Sequence, residues 1–308
     1  MRPLAATEIA GTWGTLLLPI NGDESIDFKR LEDELDYLVN SPLAGLYSGG
    51  TAGEFYALTE AEFDRVNELF AAACERVGKP FQIGATHTSA QVTLERVKRA
   101  AALRPGAIQV ILPDWFPLSD DEILGYLERV AEACAPVPLI LYNPPHAKRV
   151  LGPEEYERLA RAVPGLAGVK VGGADGAWYD AMRRHMRGLS VFVPGHSLAT
   201  GFRQGAHGSY SNVACLHPVG AQRWWELMQS DIDAAVELEG RIQRFMQEHI
   251  VPFARQGYAN QALDKLLAAI GGWADVGTRV RWPYRSIDEA EAGRLRDAAR
   301  ALIPEVLL

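Results

Sequence analysis

The chain has 308 residues, 48% of them hydrophobic and 23% charged, so it can bury a large core and has no bias toward disorder. Its 31 basic and 39 acidic residues give a formal net charge of -8 with no basic stripe, which argues against a nucleic-acid partner. Cys74, Cys134 and Cys215 are far apart and form no C-x-x-C pair, no run approaches the roughly 20 apolar residues of a membrane span, and the first residues lack the layout of a signal peptide; a cytoplasmic protein without membrane contact is expected.

Short β-rich runs alternate with stretches of helical period. A first strand is expected over 12–19, followed by DFKRLEDELDYLVN (27–40), whose Phe28, Leu31, Leu35, Leu38 and Val39 form one apolar stripe. A strand over 44–49 runs into the Gly-rich turn Ser48-Gly49-Gly50-Thr51-Ala52-Gly53-Glu54, and TEAEFDRVNELFAAACERV (59–77) makes the next helix, opened by a capping box of Thr59 and Glu62. Strands over 80–85 and 107–112 follow, with Ser119 and Glu122 opening another helix after the second. Strands over 138–142, 166–171, 190–194 and 208–213 bring the number to eight. Beyond about residue 230 the strand signal stops, and helical stretches over 231–255, 259–271 and 287–303 follow, the last opened by Ser286 and Glu289. Eight strands, each followed by a helix, fit an α/β fold of the (β/α)8 TIM-barrel type over 1–230, with a C-terminal helical appendage over 231–308 packed directly on it. An open doubly wound sheet is the rival, but TLLLPINGDESID (15–27) has neither G-x-G-x-x-G nor a P-loop.

Reactive groups in such a barrel collect at the C-terminal ends of the strands. The Gly-rich turn after the second strand is a cradle for a small anion or simply a tight turn. Tyr142, before the stiff Pro144-Pro145 exit, is a proton shuttle or an aromatic plug. Lys170 stands inside the apolar run LAGVKV. Burial there pushes an amine down from its reference value of about 10.4 and makes it a usable nucleophile. The competing reading is a lysine paired with a buried carboxylate, for which Glu54 is the candidate. Seven histidines without metal spacing leave no metal site to expect. Gly172-Gly173 is read as a plain turn ahead of a phosphate site, and Trp224-Trp225 as packing.

The set GGTAGE at 49–54, YNPP at 142–145 and GVK at 168–170 resembles the dihydrodipicolinate synthase and N-acetylneuraminate lyase family of class I aldolases, as do GTWGTLLLPI (11–20) and RWPYRS (281–286). The resemblance implies that Lys170 forms a Schiff base with the 2-oxo carbon of a small acid, and that Tyr142 moves protons during imine formation and C–C cleavage. It implies that Thr51 binds the carboxylate beside Gly50 and the backbone of Ala52, and that the Tyr210 carbonyl faces the pocket. No cofactor is implied, since the iminium is itself the electron sink. A homo-oligomer, tetramer or dimer, is implied as well.

Departures from the family pattern bear on substrate. Ala52 replaces a second hydroxyl, Trp115 replaces a relay tyrosine, and Ala147 stands where an arginine for a second carboxylate is expected. His196 and Ser197 follow the seventh strand where sialic acid lyases carry acidic residues. Neither dihydrodipicolinate synthesis nor sialic acid cleavage is expected. The expectation is a Schiff-base lyase making or consuming pyruvate, with Trp115, Phe116, His146, His196, Ser197 and Asn212 lining the distal pocket. The alternatives are a 2-oxo sugar-acid dehydratase or deaminase using the same imine, and a catalytically silent barrel with a binding role.

Overall fold

The computed structural model describes residues 1–173 and 175–307; Leu308, the end of the expected helical region, lies outside them. Eight strands form one parallel sheet closed on itself: β1 (Gly11–Thr15), β2 (Gly45–Ser48), β3 (Phe81–Gly84), β4 (Ala107–Val110), β5 (Leu139–Asn143), β6 (Leu166–Val171), β7 (Ser190–Phe192) and β8 (Gly208–Tyr210). Thr12 pairing with Ser209 closes β1 onto β8. The connecting helices are α1 (Phe28–Asn40), α2 (Glu60–Val77), α3 (Ala90–Ala102), α4 (Asp120–Cys134), α5 (Pro153–Ala162), α6 (Gly176–His185) and α7 (Leu198–Arg203). After β8 come α8 (Asn212–Leu216), α9 (Pro218–Ser230), α10 (Ile232–Phe245), α11 (Val251–Arg255), α12 (Asn260–Gly271) and α13 (Ala290–Leu302). The chain is thus a (β/α)8 barrel with a helical C-terminal part. None of its helices, among the described residues, is long and apolar enough to cross a membrane.

Several boundaries differ from those expected, for local reasons. The first strand ends at Thr15: the Leu16 N–H still donates to the Tyr47 carbonyl at 2.9 Å, but the Leu17 N–H donates to Glu34 Oε1 at 2.8 Å, and Pro19 has no N–H to give. The eighth strand stops at Tyr210 because the Ser211 hydroxyl accepts from the Ala214 N–H and starts α8. The stretch over 231–255 is interrupted by a π-helical turn at Met246–Ile250 just before Pro252. The boxes at Thr59 and Ser119 form. That at Ser286 does not: its hydroxyl accepts from the Val280 N–H, and Asp288 accepts from the Ala290 N–H instead.

The barrel interior is filled by aromatic rings. Trp13 stands edge-on to Phe192 and Tyr210, and Tyr210 packs against Tyr47 with centroids 4.6 Å apart. Leu4 and Ile9 of the N-terminal segment join this cluster. Above these rings the register of β5 and β6 decides what faces inward. Leu139 pairs with Leu166, but Ile140 pairs with Gly168, leaving Ala167 as an extra residue on β6. Strict alternation from the outward Leu166 would turn residue 170 outward as well; the bulge reverses the phase. Val169 and Val171 therefore join the core under the helices while Lys170, opposite Tyr142, faces the barrel axis. Gly168 suits this close passage, since a Cβ there would stand 2.7 Å from the Ser190 carbonyl oxygen on β7.

A buried ion pair joins the Gly-rich turn to the C-terminal helices. Lys265 on α12 donates to Glu54 Oε1 at 2.5 Å and to the Arg279 carbonyl at 2.6 Å, and the Arg281 N–H donates to Glu54 Oε2 at 3.0 Å. Both side chains are fully buried. Glu54 adopts a left-handed backbone conformation, φ 50°, at the exit of the turn. Breaking one side of such a pair strands a charge in the core. Lys265→Met is expected to lower the unfolding free energy in urea titration by about 3–5 kcal/mol. Adding Glu54→Gln is expected to recover at least about 1 kcal/mol of that; a loss below about 1 kcal/mol in the single variant would show the pair to be dispensable for stability.

Candidate active site

At the C-terminal end of the strands a cavity of about 240 Å³ opens to solvent. Its walls include eight of the residues singled out in the sequence: Thr51, Ala52, Tyr142, His146, Lys170, His196, Tyr210 and Asn212. Four others, Trp115, Phe116, Ser197 and Gly50, do not line it, and here the expectation is corrected. Trp115 lies out on the loop after β4, 81% exposed, its carbonyl accepting from Lys148 Nζ at 2.6 Å. Phe116 beside it is 72% exposed. The Ser197 hydroxyl is turned toward Gln243 Nε2, 3.5 Å away on α10. Gly50 sits against Tyr47, where a Cβ would come within 2.6 Å of the ring.

Lys170 occupies the floor. Its Nζ lies 4.1 Å from the Tyr142 ring centroid, 5.5 Å from that of Tyr210 and 6.0 Å from that of Tyr47. Faces of aromatic rings attract a cation without binding it covalently or taking its proton. Among the described residues no acceptor lies within hydrogen-bond distance of Lys170 Nζ and no carboxylate within 4.0 Å. Glu54, the carboxylate weighed as its partner, is held by Lys265 instead. The Tyr210 hydroxyl points down the barrel and donates to Gln82 Oε1 at 2.6 Å. Burial pushes the phenols of Tyr47 and Tyr210 well above their ordinary range, so both serve the cavity as neutral ring walls.

One side of the cavity is made by the Gly-rich turn. There the Thr51 carbonyl accepts from the Glu54 N–H at 3.1 Å, whereas the N–H groups of Thr51 and Ala52 meet no acceptor among the described residues. Two unpaired donors beside a hydroxyl suit one carboxylate. Among the described residues no arginine lines the cavity. Ala147 has no charge, and the nearby Arg149 is held by Asp120 and Glu155. The opposite side carries neutral polar groups. Burial lowers the pKa of His196, whose Nδ1 lies 2.9 Å from the Asn212 amide nitrogen, and Asn212 Oδ1 is buried without a partner among the described residues.

Further lining residues escaped the sequence reading, among them Tyr47, Cys215, Asn260 and Asp264. Asp264 is the most informative. It is 6% exposed, its Oδ2 accepts from Asn260 Nδ2 at 2.9 Å, and burial pushes its carboxyl up to about 7 against the opposing influence of Lys170. A signal for it was present, since Asp264 and Lys265 interrupt an otherwise apolar helix, NQALDKLLAAIG. Among the described residues no three His, Cys, Asp or Glu side chains come together as metal ligands do.

The chain is similar to known proteins over its length. It is 25% identical over 301 residues to an N-acetylneuraminate lyase from Rhizobium meliloti, covering 96% of each chain. It is 26% identical over 300 residues to a 4-hydroxy-tetrahydrodipicolinate synthase from Neisseria gonorrhoeae, covering 95% of this chain and 98% of the other. A second such synthase, from Thermomicrobium roseum, is 33% identical over 161 residues, and that match spans about half of either protein, 52% of each. Among solved structures, YagE of E. coli K12 in complex with pyruvate superposes with a TM-score of 0.84 at 21% identity, covering 96% of this chain and 98% of that one. Residues 8–302 match the description of one family throughout, and the chain belongs to the dihydrodipicolinate synthetase family.

Proposed function

We propose that the protein is a Schiff-base lyase that makes or consumes pyruvate by cleaving or forming a C–C bond in a 2-oxo acid. The observation that carries this reading is the placement of Lys170: an amine at the floor of a cavity, ringed by tyrosines and, among the described residues, with no carboxylate within 4.0 Å. Its nitrogen attacks the 2-oxo carbon, water leaves, and the iminium that results keeps the positive charge where the ring faces already attract one. Tyr142, opposite Lys170 in the ladder, is the proton carrier for the loss of water. The C3–C4 bonding electrons then flow into the iminium, releasing an aldehyde and leaving an enamine that becomes pyruvate. Thr51 and the N–H groups of Thr51 and Ala52 hold the 1-carboxylate throughout.

The far wall supports a finer statement. Among the described residues Lys170 is the only lysine or arginine lining the cavity, and the remaining polar side chains there are hydroxyls, histidines, amides, one thiol and the Asp264 carboxyl. A second substrate carboxylate would enter with no cation to meet it. A neutral polyhydroxylated tail, as on a 3-deoxy-2-oxo sugar acid, would find donors and acceptors.

Borohydride added with pyruvate is expected to leave a stable adduct on Lys170, located by peptide mass mapping; a wild-type protein that forms none would remove the Schiff base from the mechanism. Lys170→Ala is expected to abolish turnover, and Tyr142→Phe to slow it by about 10² or more in steady-state assays. In competition with a polyhydroxylated 2-oxo monoacid, a 2-oxo diacid of the same length is expected to bind at least about ten times more weakly, a difference of about 1.4 kcal/mol. Equal binding would overturn the assignment of the tail.

A further inference from the structure

Lys170 and Tyr142 account for imine chemistry, but cleavage also needs a group that takes a proton from the substrate and gives it back. Asp264 is the only carboxyl lining the cavity among the described residues. It enters from α12, whereas Lys170 and Tyr142 stand on adjoining strands. No ion pair joins Asp264 to Lys170 within 4.0 Å, although each lies in the other's field. We propose that Asp264 is the catalytic acid–base of the carbon chemistry, its carboxylate accepting a proton from the substrate beside the iminium and returning it to C3. The proposal rests on the Schiff-base reading above.

A structural role fits the contacts poorly. Glu54, a carboxylate bound by the very next residue of α12, is matched by a lysine and a backbone N–H. Among the described residues Asp264 receives only the Asn260 amide. Its Oδ1 is not sealed in the core but reaches the cavity, and carboxyls largely buried beside a cleft concentrate where chemistry is done.

Of the cavity groups whose ionisation burial moves, Asp264 is the one brought to the neutral range; besides Lys170 and Tyr142, the wall also carries the titratable side chain of His146, in the loop after β5. Tyr47 on β2, Tyr56 in the turn beyond it and Cys215 on α8 are each pushed upward by burial and stay protonated. His196, in the loop after β7, is pushed downward and stays neutral. Lys170 on β6 and Tyr142 on β5 are committed to the imine, Asn260 on the same helix does not titrate, and Glu54 and Lys265 neutralise each other. The Asp264 carboxyl, raised to about 7, exchanges its proton in the working range.

The step balances without an external oxidant or reductant. With a 4-hydroxy-2-oxo acid bound as the iminium, the Asp264 carboxylate takes the O4 proton, the O4–C4 bond becomes a carbonyl, and the C3–C4 electrons move to the nitrogen. The carboxylic acid so formed then protonates C3 of the enamine, and water releases pyruvate from Lys170. With pyruvate alone the same groups exchange the methyl protons with solvent.

That exchange is the test, followed by proton NMR of pyruvate in D₂O with the full chain, alongside borohydride trapping of each variant. Asp264→Asn is expected to trap pyruvate on Lys170 as the wild type does, while methyl exchange falls by about 10² or more and Asp264→Glu recovers part of it. The wild-type exchange rate is expected to rise with pH through the neutral range, as carboxylate forms, and that limb is expected to be absent in Asp264→Asn. Exchange in Asp264→Asn within about threefold of wild type with the same pH profile would overturn the assignment, as would joint loss of trapping and exchange, which would make the residue part of the pocket's frame. Absence of trapping in the wild type would instead overturn the Schiff-base reading, and this proposal with it.

Discussion

The contact between Glu54 and Lys265 governs both the shape and the charge of the site. Two fully buried ions gain little from each other unless every remaining polar atom is satisfied. Here Lys265 also donates to the Arg279 carbonyl and Glu54 also accepts the Arg281 N–H, so the pair is tied to the segment after α12 as well. Arg281 in turn reaches Glu62 at the start of α2 at 2.5 and 2.7 Å, and that contact, ahead of its caps, holds the Glu62 carboxyl down at about 2. The Gly-rich turn, the first turn of α2 and the C-terminal segment are therefore one hydrogen-bonded unit. Engaged by Lys265, Glu54 makes no ion pair with Lys170, whose Nζ lies over the faces of Tyr142 and Tyr210.

The orientation of Lys170 comes from a second constraint, one extra residue in a strand. Leu166 and Val169 both pack outward although three positions separate them, which is allowed because Ala167 is not paired one-to-one with β5. Without that offset the polar side chain would sit under the helices and an apolar one would face the cavity. Below it, Tyr47, Tyr210, Phe192 and Trp13 close the barrel, so the amine rests on an aromatic column.

Much of this could be read from the residues in order. Parallel strands buried on both faces appear as short apolar runs, and all eight were visible for that reason, as were the helices with a clean apolar stripe and a hydroxyl at the first position. Boundaries were lost where a side chain far away took the decisive hydrogen bond, as Glu34 does from Leu17 and Ser286 does from Val280. Lys170 and Tyr142 stood out because a polar group in an apolar strand needs a reason. The same logic applied to Asp264 and Lys265 in α12, but a helix tolerates charge on its outer face, and nothing local reveals that this face is covered. Trp115 shows the opposite failure: its place after β4 suggested a pocket wall, yet the loop carries it outward.

The link from Glu54 to Lys265 spans 211 positions of the chain. A polypeptide made from its N-terminus has completed every strand of the barrel before Lys265 exists, so the floor with its amine can be in place while the acidic wall is still missing. A reactive nitrogen and the group that would use it are thus separated in time during synthesis, and the pocket cannot be complete until nearly the whole protein has been assembled.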